Sequence, residues 1–339
     1  MQTVIVIGVN HPLPRTFAAV ALALPFVLAA CGSNDRADTA AGDCPTTPVD
    51  VVVSVDQWGA IVSALGGACA DVTTVLSGTS VDPHDFEPSP ADAAAFTGAQ
   101  LVVINGGHYD EWAAQLAQST APDAVVVDAV ALLGGDHEGH DHEGHDHEGH
   151  DHDNPDHEGD DHGTNPHAWY NPVAVTDVAD TVTAKLTELA PDARAYFDTR
   201  HTEFTTALQP YRALIEKIGA GATGKTYAAT ESLFDDMAAA LGLANSTPQG
   251  YQVASSNHAD PSPADLDAFL RLLSDRGVDV LIYNTQTEGS LPRQLRAAAE
   301  QAGVPVVDVT ESPAPDAQTF EAWQVAQLTA LAAALGIEA

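Results

Sequence analysis

Two histidines stand in settings that could fix an imidazole for metal coordination. His84 lies in Asp82-Pro83-His84-Asp85-Phe86-Glu87-Pro88, and His167 in Asn165-Pro166-His167-Ala168-Trp169-Tyr170-Asn171-Pro172. Proline fixes its own φ and restricts the residue before it, so each histidine sits on a stiffened backbone. A metal site needs that: one ring orientation, with one nitrogen presented to the ion. A solitary histidine more often fills a surface or core position, but two in proline-braced loops are harder to read that way. His108 and His201 lack such a context and read as surface residues.

A denser supply of imidazole lies between these loops. Residues 136–162 hold nine histidines (His137, His140, His142, His145, His147, His150, His152, His157 and His162) and 12 acids, with no Lys or Arg. Three copies of His-Glu-Gly-His-Asp run without a break from His137 to Asp151. Such a segment cannot bury a core and reads as a disordered surface loop, here taken as 135–164. Its interleaved imidazoles and carboxylates favour borderline ions such as Zn2+ in many overlapping weak sites. The plainer alternative is a solvated low-complexity insertion. The whole 339-residue chain has a formal charge of −36, which argues against a nucleic-acid partner, whose phosphates need Lys and Arg. It suits a protein that handles cations outside the cytoplasm, and equally a merely soluble one. No His-Glu-x-x-His is present, so a zinc hydrolase of that type is disfavoured.

The elements that must position these residues alternate short β-branched runs with longer helical patterns, as in an α/β fold with mainly parallel sheets. Strands are expected at 51–55, 72–76, 101–105 and 125–130, then at 226–230, 252–255, 278–284 and 304–310. Helices are expected at 173–189, 192–218 and 320–335. The chain looks duplicated. Glu87-Pro88-Ser89-Pro90-Ala91-Asp92 is echoed by Asp260-Pro261-Ser262-Pro263-Ala264-Asp265, Ala64-Leu65-Gly66 by Ala240-Leu241-Gly242, Ile104-Asn105 by Tyr283-Asn284, and Val126-Val127-Asp128 by Val306-Val307-Asp308. The four matches keep the same order in both halves at offsets between 173 and 180, as duplication with small insertions and deletions would give. In each Pro-Ser-Pro-Ala-Asp, Ser suits an N-cap, Pro the first turn, and Asp the closing position of a capping box. Two similar lobes follow, at 49–190 and 219–339, with a connecting helix at 191–218. Over 192–218 that helix would exceed roughly 35 Å, with Pro210 kinking or breaking it. A rigid connector of this kind implies limited lobe motion.

Residues 16–30 are almost wholly apolar after Arg15 and end in Leu28-Ala29-Ala30-Cys31. The run is short for a membrane span and is followed by small polar residues, so 1–30 reads as a signal peptide. Leu-Ala-Ala-Cys resembles a bacterial lipobox, which would make Cys31 the lipidated first residue of the mature chain and 31–48 its tether. The membrane would then be reached through the lipid anchor only. The remaining Cys44 and Cys69 form an even pair in an oxidising compartment, and a disulfide between them is expected. It would tie the start of the first strand to the end of the first helix. Thiolate metal ligation lacks any Cys-x-x-Cys spacing to support it.

The strings from Pro83 to Pro90 and from Asn165 to Pro172 together resemble the zinc/manganese-binding solute-binding lipoproteins of ABC transporters. The likeness extends over nearly all of 51–335 and includes the two-lobe plan, the connecting helix and a His-rich insertion before the second histidine motif. It implies a monomeric, non-enzymatic receptor that holds a metal with two ligands from each lobe and hands it to a membrane permease. By that resemblance the first two ligands are His84 and His167. The third, His or Glu in the family, falls on Glu231 in Thr230-Glu231-Ser232; a favourable acid in a first helical turn is the competing explanation. The fourth is a carboxylate after the last strand of the second lobe, with Glu311 fitting by spacing and Asp308 as its rival. His258, beside the second Pro-Ser-Pro, is a further alternate and is placed at the rim. Two imidazoles and two carboxylates suit Mn2+ as well as Zn2+. The His-rich run, of little use to a manganese protein, favours Zn2+. Competing functions are a manganese or iron receptor of the same family, a His-rich zinc store or cell adhesin, and a zinc hydrolase.

Overall fold

The β-branched runs pair into two parallel sheets of the same topology. The computed structural model describes residues 43–78, 86–134, 165–257, 259–287, 289–313, 317 and 319–338. The leader, Cys31, His84, the His-rich run and His258 lie outside the described residues. The first lobe contains β1 (Val49–Val55), α1 (Asp56–Gly66), β2 (Ala70–Leu76), α2 (Pro90–Ala95), β3 (Leu101–Ile104), α3 (Glu111–Thr120), β4 (Val125–Asp128), α4 (Ala129–Gly134) and α5 (Pro172–Leu189). Then come α6 (Arg194–Ala207) and α7 (Gln209–Gly221). The second lobe has β5 (Thr226–Ala229), α8 (Asp235–Ala240), β6 (Ala244–Asn245), α9 (Gln249–Ser256), α10 (Pro263–Ser274), β7 (Val280–Asn284), α11 (Ser290–Ala302), β8 (Val306–Val309) and α12 (Phe320–Leu335). Strand order is β2-β1-β3-β4 in one sheet and β6-β5-β7-β8 in the other. Neighbouring strands are parallel throughout, so the duplication seen in the sequence is a duplication of fold.

Both faces of the central strands are covered, which is why they read as continuous apolar runs rather than alternating ones. Side chains alternate across the sheet. Val51 and Val53 face one core while Val52 joins another with Phe96, Val102 and Ile104. In the second lobe Tyr227, Ala229 and Ile282 face inward, and Ala228 and Leu281 pack outward with Phe269. The inward faces of both sheets belong to one continuous apolar cluster, joined by residues of α5, α6, α7 and α12. The lobes are thus cemented by core packing as well as by a connector.

The connecting helix breaks at Leu208 into α6 and α7, as expected of Pro210, which in the first turn of α7 cannot donate back across the join. Two local features depart from the sequence reading. The expected strand at 252–255 is part of α9, and the second strand of that lobe is the two-residue β6. Tyr251 and Ser255, four apart, both donate to the carbonyl of Thr230 (3.3 and 3.2 Å), which only a helical repeat allows. Ser89 and Asp92 close a full capping box on α2, whereas on α10 Asp265 instead accepts the Ser262 hydroxyl at 2.5 Å. Cys44 and Cys69 are joined as a disulfide with Cα atoms 4.9 Å apart. Among the described residues no helix is long and apolar enough to cross a membrane.

Candidate metal centre

In parallel α/β sheets the loops beyond the strand carboxyl ends form the ligand crevice, and here those ends meet across the lobes. Asn105 follows β3, and its backbone N–H, with that of Gly106, is held by the Asp110 carboxylate (2.7 and 2.8 Å). Gly106 has φ +79°, and a Cβ there would lie 2.0 Å from Asp128 Oδ1, so only glycine makes this turn. The Asn105 amide oxygen accepts from Trp58 Nε1 (3.0 Å), which aims its nitrogen at the carbonyl of Pro166 (2.7 Å). Asn105 thereby holds the segment that carries His167.

His167 is 4% exposed. Its Nδ1 lies 2.8 Å from Asn165 Oδ1, and Asn165 Nδ2 donates to the carbonyl of Ser232 in the second lobe (3.0 Å). The Ser232 carbonyl settles which end of the Asn165 amide is which. Nδ1 must then be the protonated ring nitrogen, and Nε2 carries the lone pair a cation needs. Edge contacts with Trp169 (5.4 Å between ring centroids) and Tyr109 (6.1 Å) fix the ring plane. Trp169 is fully buried, on the order of 5 kcal/mol of apolar burial that supports this loop.

The second lobe supplies two carboxylates. Glu231 lies beyond β5, where it precedes a 3-10 turn at Ser232–Phe234, and Glu311 lies beyond β8 with 3% exposure. Asn284, the last residue of β7 and 1% exposed, donates to both: 2.8 Å to Glu231 Oε2 and 2.9 Å to Glu311 Oε1. The Thr287 hydroxyl donates to Glu231 Oε1. Tyr109 crosses from the first lobe and donates to Glu311 Oε2 at 3.0 Å, while accepting from Gln57 Nε2 at 3.3 Å. Burial, and then the Glu311 charge, push the Tyr109 hydroxyl well above its usual range, so it stays a donor at neutral pH.

Of the sequence candidates, His167, Glu231 and Glu311 are therefore linked through Asn165, Asn284 and Tyr109 at the lobe junction. Among the described residues no three His, Cys, Asp or Glu side chains close tightly enough to hold an ion by themselves. His84, expected to join them, belongs to 79–85, which lie outside the described residues. Asp308 is elsewhere: it alternates outward on β8 between buried Val307 and Val309 and pairs with Arg296 at 2.5 Å. Its echo Asp128 instead accepts from the Ala131 N–H of α4, so the two aspartates do not share a role. His108 and His201 pair with Glu111 and Asp180 on the surface. Sequence reading passed over Asn105, Asn284 and Tyr109, although the repeat of Ile104-Asn105 as Tyr283-Asn284 had marked the two amides.

A buried imidazole, a buried carboxylate and a half-buried one, each oriented by hydrogen bonds, form a donor set suited to a divalent borderline metal. The family model "Zinc-uptake complex component A periplasmic", ZnuA, matches residues 51–334. The high-affinity zinc uptake system protein ZnuA of Bacillus subtilis is 27% identical over 76% of this chain and 76% of its own length. The manganese-binding lipoprotein MntA of Halalkalibacterium halodurans is 23% identical over 52% of this chain and 50% of its own. The solute-binding protein FpvC of Pseudomonas aeruginosa, solved with Mn2+, superposes with a TM-score of 0.65 at 18% identity, covering 86% of this chain and 99% of that one, which shows a shared fold. The chain belongs to the ZnuA family of extracytoplasmic metal-binding solute-binding proteins, and its family and structural neighbours are receptors rather than enzymes.

Proposed function

We propose that this protein captures Zn2+ as its cargo between the two lobes and delivers it to the permease of an ABC importer. His84 and His167 would serve from the first lobe, Glu231 and Glu311 from the second. The observation that carries the reading is the junction itself. His167, its tautomer fixed by Asn165, half-buried Glu231 and buried Glu311 are gathered where Asn165 and Tyr109 reach across the lobes and Asn284 ties the two carboxylates. Four protein donors would complete a closed tetrahedral shell and leave no position for a reactive water, which suits carriage rather than hydrolysis. The His-rich run at 136–162 would act as an accessory collector, and Cys31 as the lipid anchor that keeps a monomeric receptor at the outer face of the cell membrane. Membrane contact would come through that anchor and the permease. The zinc-uptake relatives support zinc, while the carboxylate pair and the manganese-binding relative support a second reading, Mn2+.

Metal content and competition binding of the mature chain, a version lacking 136–162, His84→Ala and His167→Ala test this. One tightly bound Zn2+ that survives loop deletion and is lost in both histidine variants is the expected result. Binding abolished by loop deletion alone would instead make the protein a zinc store, and preferential retention of Mn2+ would reverse the choice of metal.

A further inference from the structure

We propose that Asn284, assisted by Thr287, sets the metal preference of the site by holding each carboxylate to one-oxygen coordination; this rests on the receptor reading above. The orientation of the amide is fixed by the chain. Asn284 Oδ1 accepts the Gln286 backbone N–H at 3.0 Å, so the amide nitrogen must face the carboxylates. A flipped amide would lose that bond and set an oxygen against two anions. The nitrogen then reaches Glu231 Oε2 at 2.8 Å, Glu311 Oε1 at 2.9 Å and Thr287 Oγ1 at 2.9 Å. Its two hydrogens serve the two carboxylates most strongly, since hydrogen bonds to ionised acceptors are the stronger ones.

Every oxygen of the pair accordingly has a donor. Thr287 and Asn284 serve Glu231, and Asn284 and Tyr109 serve Glu311. Each oxygen keeps a further lone pair for an ion, but one buried nitrogen ties both side chains, so turning either carboxylate to present both oxygens to one ion strains or breaks its bond to the amide. Zn2+ is satisfied by four donors, one from each side chain. Mn2+ favours six oxygen-rich donors and gains more when carboxylates chelate. The clamp therefore costs Mn2+ more than Zn2+, although the carboxylate-rich donor set would otherwise suit manganese. In the first lobe the equivalent residue, Asn105, holds the Pro166 carbonyl. The selectivity device thus belongs to the second lobe.

Zn2+ and Mn2+ affinities of the mature chain, Asn284→Leu and Thr287→Val, measured by competition against a chelating dye, test the assignment. Asn284→Leu should weaken Zn2+ by about 10–100-fold, as loss of a partner behind a metal ligand does. It should leave Mn2+ much less affected, so that the ratio of the two affinities falls. Thr287→Val should move the ratio the same way by a smaller amount, and it decides the matter alone should Asn284→Leu fail to fold. A mere packing role would lower both affinities together. An unchanged ratio in the folded variants overturns the inference while leaving the receptor reading intact. A wild-type chain that takes up neither ion overturns both.

Discussion

Replacing Asn165 by alanine tests the argument that one amide sets the His167 tautomer and couples it to the opposite lobe. The substitution removes the acceptor for His167 Nδ1 (2.8 Å), the acceptor for the His167 backbone N–H (3.2 Å) and the donor to the Ser232 carbonyl (3.0 Å). At about 1 kcal/mol for each hydrogen bond the folded state loses about 3 kcal/mol. A domain of ordinary stability, about 5–15 kcal/mol, remains folded after that loss. The effect on metal is separate. Without its oriented partner the imidazole can present either nitrogen, and second-shell losses of this kind weaken binding about 10–100-fold, or about 1.4–2.7 kcal/mol. Competition titration with Zn2+ gives the affinity, and denaturant unfolding of the metal-free protein gives the stability. A Zn2+ affinity equal to wild type, in a variant whose stability has fallen as expected, would refute the tautomer argument and leave Asn165 a purely structural residue.

Burial, partly opposed by the Tyr227 hydroxyl, raises the Asp235 pKa from 3.8 to about 6. Between those values the folded state holds more protons than the unfolded one, so stability falls as pH rises, by on the order of 2–3 kcal/mol. Asp235→Asn should escape that decline, and urea unfolding at pH 4 and pH 7 should show its stability relative to wild type rising with pH. Reducing the Cys44–Cys69 bond, which spans 25 residues, should lower the unfolding free energy by about 2–4 kcal/mol, read from denaturation with and without dithiothreitol. Gly106→Ala combines a positive φ with a Cβ placed against Asp128, and should cost at least about 1–3 kcal/mol by thermal melting and displace the turn that leads to Tyr109. Wild-type stability in that variant would show that the turn can relax.

Much of the architecture was legible because it repeats local patterns. Valine-rich runs buried on two faces, the Ser-Pro helix starts and the long, mostly apolar run of α12 each declare themselves within a few residues. The ordered echoes between halves anticipated two sheets of one topology. The strand expected at 252–255 was misread because a short segment has too few residues to separate a period of 2 from one of 3.6. Its helical state is settled by Thr230, a partner more than twenty residues away. His167 stood out by its prolines, and Glu231 and Glu311 were candidates through a family resemblance. Their arrangement was not. Tyr109 meets Glu311 across 202 residues and Gln57 across 52, while Asn284 gathers two carboxylates 53 and 27 residues away. The sequence by itself therefore determined which residues carry donor side chains of the kind a metal needs and what kind of fold carries them. Tertiary structure decided which oxygens face one another, which ring nitrogen bears the proton, and that Asp308 faces Arg296 rather than the site, because those outcomes depend on contacts between distant segments that no local spacing encodes.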